Sequence, residues 1–212
     1  MCIRDSGDTV KTTNEHVPIL ITKASNFNTA CDTIDIVFGD MKYDESKTPK
    51  YTFQRYKVTY SCERSKLPDK SAPPLPGNKF PPINAFAVYK TKVIWDETGS
   101  NWKNPRTDGN NATYEKQLVA DYIEDLVFLP IDDEGKLINP PPTANNATKD
   151  KLYKIKTVDI ALSIRSTKKF YRSNKDRTKF TLNNPLRKKT RNDKYFRETI
   201  VVTAHARNMG TL

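Results

Sequence analysis

The sequence predicts a mostly β domain of the α+β class, with an antiparallel sheet and one short helix. In several segments apolar residues alternate with polar ones, as in strands that have one buried and one wet face. Residues 114–127 instead place Leu118, Tyr122 and Leu126 on one stripe, which predicts the helix. A chain of 212 residues can bury a substantial core as one domain. We therefore expect one globular domain over residues 7–212.

Two segments near the C-terminus have the clearest strand pattern. Val158, Ile160 and Leu162 share one face of the first, and residues 196–207 alternate in the same way around a β-branched stretch at residues 199–203. Two strands with one apolar face each are expected to pair. The sequence predicts that residues 158–165 and 196–207 are adjacent antiparallel strands. It also predicts that residues 166–195 form the least ordered loop of the chain.

Proline marks a second long loop. Six of the fourteen prolines lie within residues 68–82. Proline cannot donate to a strand ladder and favours extended polyproline segments. We expect a proline-rich surface loop here, inside the domain.

Three segments of the chain carry short motifs, each different from the others. The first C-terminal strand closes on Arg-Ser, and the second runs from Arg-Glu-Thr to Arg-Asn. Upstream lie a Val-Ala-x-x-Ile-Glu-x-Leu-x-Phe stretch at residues 119–128 and Tyr-x-Val-Thr-Tyr at residues 56–60. Their order and spacing, over about residues 34–208, resemble PilW-type minor pilins and the related J-type pseudopilins of type II secretion. The motif residues are Glu124, Arg165, Ser166, Arg197, Glu198, Arg207 and Asn208.

The resemblance implies a pilin-like sheet that wraps the C-terminal half of an apolar N-terminal anchor helix. It also implies a role in assembling a type IV pilus or a type II secretion pseudopilus, with other minor pilins or pseudopilins as partners. The protein would then act in the periplasm or at the cell surface, held in the inner membrane through that helix.

The start of the chain departs from this family. No apolar segment of membrane-spanning length is present, and residues 1–6 resemble the translation of sequencing-adapter read-through. We expect residues 1–6 to be non-native and the anchor helix to have been lost upstream. A genuine cytosolic start is the alternative.

Cysteine usage leaves two alternatives open. Without residues 1–6 the chain keeps Cys31 and Cys62, the right number for one disulfide in an oxidising compartment. Two free thiols are the alternative, because sequence does not establish the distance between them.

Catalytic and metal-binding patterns are not found in the sequence. Two histidines and no Cys-x-x-Cys make a poor zinc site, and the acidic run at residues 132–134 suits a hairpin turn. We expect no enzymatic activity, no cofactor and no metal.

The charge distribution suggests a binding activity. From Arg165 to Arg197 thirteen basic residues face two acidic ones, a surplus equal to the formal net charge of +11. Aromatic residues are interleaved, as in surfaces that track phosphates and stack bases. Charge runs in surface loops are usually solvated, and we first expect that here; the candidate ligands are DNA or an anionic polysaccharide, with anionic lipid or a neighbouring subunit as further alternatives. The candidate residues are Lys168, Lys169, Arg172, Lys175, Arg177, Lys179, Arg187, Lys188, Lys189, Arg191 and Lys194.

Three function classes follow. The first is pilus or pseudopilus assembly, and the second is nucleic-acid binding through this basic loop. We expect the fold to survive replacement of Arg187, Lys188, Lys189 and Arg191, which lie outside the strand pattern. The third is a β-sandwich adhesion or carbohydrate-binding domain, which requires Trp95 and Trp102 to be exposed.

Overall fold

The computed structural model describes residues 17–25, 31–109, 111–143, 149–180 and 187–206. It is nearly all β, and its one helix in these residues is the single turn α1 (Lys149–Leu152). The strands are β1 (Ile19–Thr22), β2 (Thr33–Tyr43), β3 (Tyr51–Arg64), β4 (Phe86–Asp96), β5 (Asn101–Trp102), β6 (Tyr114–Ile131), β7 (Thr157–Lys169), β8 (Lys175–Phe180), β9 (Lys188–Asp193) and β10 (Tyr195–His205).

The main sheet is antiparallel and curls into a half-barrel. Its strand order is β1-β2-β3-β4-β6-β7-β10, and β5 pairs with the outer part of β4. The predicted pairing of the two C-terminal strands is confirmed, since β7 and β10 are neighbours with Thr199 opposite Ser163 and Val202 opposite Ile160. Arg207, the predicted end of the second strand, lies outside the described residues.

The predicted pilin-like α+β fold, with a short helix at residues 114–127, is wrong, because the described residues are nearly all β. These residues belong to β6, which pairs with β4 along its first half and with β7 along its second. Both ladders contain register shifts, and Tyr122 has a φ of 62° at the bend. Each bulge adds one residue and reverses the strand's period of two. Ala120, Ile123 and Leu126 therefore face the core at a spacing of three, which resembles a helical stripe.

The basic loop at residues 166–195 is shorter than the sequence predicts. Strand β7 continues to Lys169, β10 begins at Tyr195, and between them β8 and β9 pair as a separate two-stranded sheet, with Arg177 opposite Arg191. The proline-rich residues 68–82 do form a loop outside the named strands, joined by an isolated bridge between Pro68 and Pro82.

Asp32 closes the curl of the sheet at one end. Its backbone N–H donates to the carbonyl of Leu126 at 3.0 Å, and its carboxylate accepts from the N–H of Phe128 at 3.3 Å. Asp32 directly precedes β2, and β3 and β4 lie between β2 and β6 in the sheet, so these bonds link the start of β2 to a strand that is not its neighbour. The hydrophobic core lies against the same sheet, with Ile34, Phe86, Ile123 and Phe128 among its buried members.

Candidate functional site

The concave face of the half-barrel carries an apolar groove of about 560 Å³. We use the name apolar groove for this space. Strands β1, β2, β3, β4, β6, β7 and β10 all contribute side chains to the groove. Of the described residues that line the groove, only Tyr60 and His205 have polar side chains. The lining residues are Pro18, Ile19, Ile34, Ile36, Val37, Phe38, Tyr60, Val88, Val119, Ala120, Leu126, Phe128, Val158, Ile160, Leu162, Ala204, His205 and Ala206.

Regular strand pairing produces this surface. Val158, Ile160 and Leu162 alternate along β7, and their partners on β10 are Ala204, Val202 and Ile200. Small residues at positions 204 and 206 leave room above the larger side chains of β7. The groove has a volume in the range of ligand pockets, but almost no polar groups that would orient a small substrate.

Three basic residues of the predicted polyanion-binding set point inward instead. Arg187 is buried, ion-paired to Asp32, and donates from Nη1 to Asp125 at 2.9 Å. Lys189 is also buried and donates to the carbonyl oxygen of Glu124. The third is Arg191, which is part-buried.

The carboxylate of Glu124 is the centre of a second group of ion pairs, with Arg191 and Arg197. Glu124 is the extra residue in the β6–β7 register, and its carboxylate accepts from Nε of Arg197 at 3.0 Å and lies 3.5 Å from Nε of Arg191. Arg197 in turn donates to Asp193 at 2.6 Å. We call Lys23, Asp32, Glu124, Asp125, Arg187, Lys189, Arg191, Asp193 and Arg197 the buried ionic cluster.

Burial and pairing shift several pKa values in this cluster. Burial lowers the pKa of Lys189, and it lowers that of Lys23 against the opposing effect of Asp32. Burial also acts to lower the pKa of Arg197, but the hydrogen bond to Asp193 and the charge of Glu124 outweigh it, and the pKa is raised. These shifts are those of structural ion pairs that hold β8–β9 and β10 onto β6.

The ionic cluster leaves little space for a substrate. A cavity of about 10 Å³ lies between Asp125, Ser163, Lys189 and Arg197, about the size of one water molecule. Asp125 Oδ2 faces no hydrogen-bond partner in the part of the chain that the structure describes. We interpret the cluster as a support for the sheet, not as a catalytic centre.

The remaining family-motif residues that the structure describes lie on β7 and β10, where two of them contact neighbouring residues of the sheet. The guanidinium of Arg165 lies 4.2 Å from the ring centroid of Tyr195 and is buried. Ser166 Oγ accepts from the N–H of Phe196 at 3.1 Å, and Glu198 is exposed opposite Ile164. Arg207 and Asn208 lie outside the described residues.

The other predicted polyanion-binding residues divide into three groups. Four of them are exposed on β7, β8 and the turn between them: Lys168, Lys169, Arg172 and Lys175. Two are half-buried, Lys194 and Arg177, and the guanidinium of Arg177 stacks on Tyr171 at 3.7 Å from its ring centroid. The side chains of Lys179 and Lys188 lie outside the described residues.

The two tryptophans do not form an exposed sugar-binding platform. Trp95 is buried and meets the half-buried Trp102 edge to face, with centroids 5.0 Å apart. Lys57 covers the ring of Trp102 at 5.1 Å. The exposure that the carbohydrate-binding hypothesis requires is not found.

Of the two alternatives for the cysteines, the structure has the disulfide. Cys31 and Cys62 are bonded, with Cα atoms 5.7 Å apart. The bond ties the chain just before β2 to β3, and so fixes Asp32, the next residue, against β6.

Comparison of the chain with protein-family models, with curated proteins and with solved structures finds no match. In the described ranges, no helix is long and apolar enough to cross a membrane.

Two residues that organise the site are not identified by sequence reasoning. Asp32 and Asp125 are fully buried carboxylates that anchor Arg187. Asp125 is preceded by Glu124 and followed by four apolar residues, and an acidic pair next to such an apolar run is the available signal. The predicted helix at residues 114–127 instead places Glu124 and Asp125 away from the apolar stripe, on the face expected to be solvated.

Proposed function

We propose that this chain is an assembly subunit of the minor-pilin or pseudopilin kind, whose half-barrel accommodates an apolar helix in the apolar groove. The observation that carries the proposal is the groove itself, an open concave surface with almost exclusively apolar side chains. Phe38 and Val119 of its lining are exposed, and an open apolar concave surface is a candidate interaction site. The helix is the one that the family resemblance implies.

The groove favours a helix over an extended strand. Its floor consists of strands whose backbone groups already pair with their neighbours in the sheet. An occupant therefore finds no backbone partner there and must satisfy its own N–H and C=O groups, as a helix does. Burying an unpaired strand in this groove would cost free energy for each unsatisfied group.

Residues 1–16 of this chain are unsuited to fill the groove. Apart from Met1, Cys2, Ile3 and Val10 they are polar, charged or glycine, with no stripe of apolar residues at helical spacing.

The disulfide supports a location in an oxidising compartment such as the periplasm.

A peptide titration with groove variants tests the proposal. A synthetic amphipathic helix of about four turns, with leucines on one face and charges on the other, carries a fluorescein label and is titrated with the protein, and binding is followed by fluorescence anisotropy of the label. We expect saturable binding. Val119→Glu places a charge in the groove and should weaken binding by at least about tenfold, since an unpaired charge is desolvated there.

Leu118→Glu is the matched control. Leu118 and Val119 are 54% and 52% exposed, but only Val119 lines the groove. The control should bind as the wild type does, and both variants should fold because both positions are exposed. Equal binding by the two variants, or none by the wild type, would contradict the proposal.

A second candidate function is polyanion binding by the exposed part of the basic loop. The supporting observation is that Phe170, 69% exposed, lies among Lys168, Lys169 and Arg172 and packs against Tyr171 and Phe196. Cations next to exposed aromatic rings suit a flexible, single-stranded nucleic acid.

A further inference from the structure

The outer edge of β10 is open. Strand β10 is the last strand of the main sheet, and in the ranges that the structure describes it pairs with β7 alone. An unpaired edge presents a row of backbone donors and acceptors that another strand can use. β1, at the opposite end, has only four residues, whereas β10 has eleven.

The edge of β10 is also apolar on both faces. Ile200, Val201 and Val202 are 45%, 49% and 55% exposed, in consecutive positions. The threonines that flank them are already partnered, because Thr199 hydrogen-bonds to Ser163 at 2.7 Å and Thr203 donates to Asp159. The centre of the edge therefore has exposed apolar side chains and no charge. Edge strands usually carry charges or proline, which prevent such pairing.

The sequence of this edge is self-complementary. Around Val201 the chain reads Thr-Ile-Val-Val-Thr. In an antiparallel pair of two copies centred on Val201, Thr199 lies opposite Thr203 of the second copy, and Ile200 lies opposite Val202. β-branched pairs of this kind are among the favourable cross-strand pairs. Further out, Arg197 meets His205, which carries no formal charge, residue 198 meets residue 204, and residue 196 meets residue 206, so no two residues of the same formal charge oppose each other.

Other registers fit less well. Directly opposed residues must point to the same face of a sheet, so a symmetric pairing can shift only in steps that keep this parity. A shift one way places Glu198 opposite Val202, and a shift the other way leaves Ile200 opposite Ala204. Centring on Val201 is the register that matches threonine with threonine and branched apolar residues with one another.

We propose that two copies of this chain associate edge to edge through β10, in an antiparallel register centred on Val201. The two main sheets then form one continuous sheet. The two-fold axis is perpendicular to it, so both apolar grooves open on the same side. This contact is separate from the groove, and its test does not depend on what the groove binds.

Charge variants at position 201 test the register. Val201→Lys places two lysines opposite each other, and Val201→Glu does the same with two glutamates, so each variant alone should be monomeric in analytical ultracentrifugation. Each should raise the dimer dissociation constant by about tenfold or more. An equal mixture of the two should form dimers again, because the introduced lysine of one copy then meets the introduced glutamate of the other. Leu118→Lys, an equally exposed apolar position elsewhere, should dimerise as the wild type does.

A cysteine variant provides a second readout that does not require the charge variants to fold. With Cys2 replaced by serine, Val201→Cys should form a covalent dimer under mild oxidation, since directly opposed side chains lie within reach of a disulfide. Thr199→Cys should not, because its opposite residue is Thr203. A monomeric wild type, a dimer that survives Val201→Lys, or equal cross-linking at positions 199 and 201 would overturn the proposal.

Discussion

Single residues of the basic loop have two distinct roles in this structure. Arg187 and Arg172 are both cations of the predicted polyanion-binding set, yet the first is buried between Asp32 and Asp125 and the second is exposed. The sequence predicts that Arg187, Lys188, Lys189 and Arg191 can be replaced without loss of the fold, because they lie outside the strand pattern. The basis of that expectation is wrong, since residues 188–191 belong to β9 and both Arg187 and Lys189 are buried.

Arg187→Ser should destabilise the fold strongly. It leaves two buried carboxylates with reduced compensation, and breaking a buried ion pair from one side costs about 3 kcal/mol or more. Arg172→Ser removes the same charge from an exposed position and should change the free energy of unfolding by less than about 0.5 kcal/mol. Urea denaturation of both variants measures the difference. Similar midpoints would contradict the buried ionic cluster.

At the scale of elements, the bulged strand β6 and the Cys31–Cys62 disulfide determine how the sheet curls. β6 serves two partners in succession, and its register shifts turn Glu124 into the ionic cluster. The disulfide holds the start of β2 where Asp32 meets β6.

Reduction of the disulfide should lower stability. The bond closes a loop with a sequence separation of 31, for which the chain-entropy relation predicts about 3.7 kcal/mol. Denaturation with and without reductant gives the value, and a Cys31→Ala, Cys62→Ala double variant, which should not respond to reductant, is the control. A wild-type midpoint that reductant leaves unchanged would argue against the bond.

At the scale of the whole molecule, the surplus of positive charge is divided between the interior and the surface. Only the exposed cations can contact a polyanion without unfolding the cluster. This restricts the second candidate function to a smaller surface around Phe170 than the sequence predicts.

Replacing Lys168, Lys169, Arg172 and Lys175 together by serine tests that surface. Binding to single-stranded DNA should weaken, and the slope of log affinity against log salt should flatten by about 0.7 for each phosphate that the variant no longer neutralises. A variant with Lys47, Lys50, Lys66 and Lys154 changed to serine has the same net charge from other exposed positions and serves as the control. Equal slopes for the two variants would reject the site.

Sequence by itself determined the strands with regular alternation. The pairing of β7 with β10 follows from their matched apolar faces, and the turn after β6 follows from Gly135, which has a φ of 79°. Such features are local, since each depends on a period of two or on a single backbone conformation. The disulfide is only one of two alternatives in the sequence, because composition gives the number of cysteines and not their distance.

Only the tertiary structure decided that residues 114–127 form a strand and that part of the basic loop is buried. A bulge changes the period of a strand without a distinctive residue, so Ala120, Ile123 and Leu126 have a helical spacing in the sequence while they lie in β6. The buried cations are a second case. Arg187 is 155 residues from Asp32 and 62 from Asp125, and whether a charge is solvated or paired depends on partners that the folded sheet brings to it.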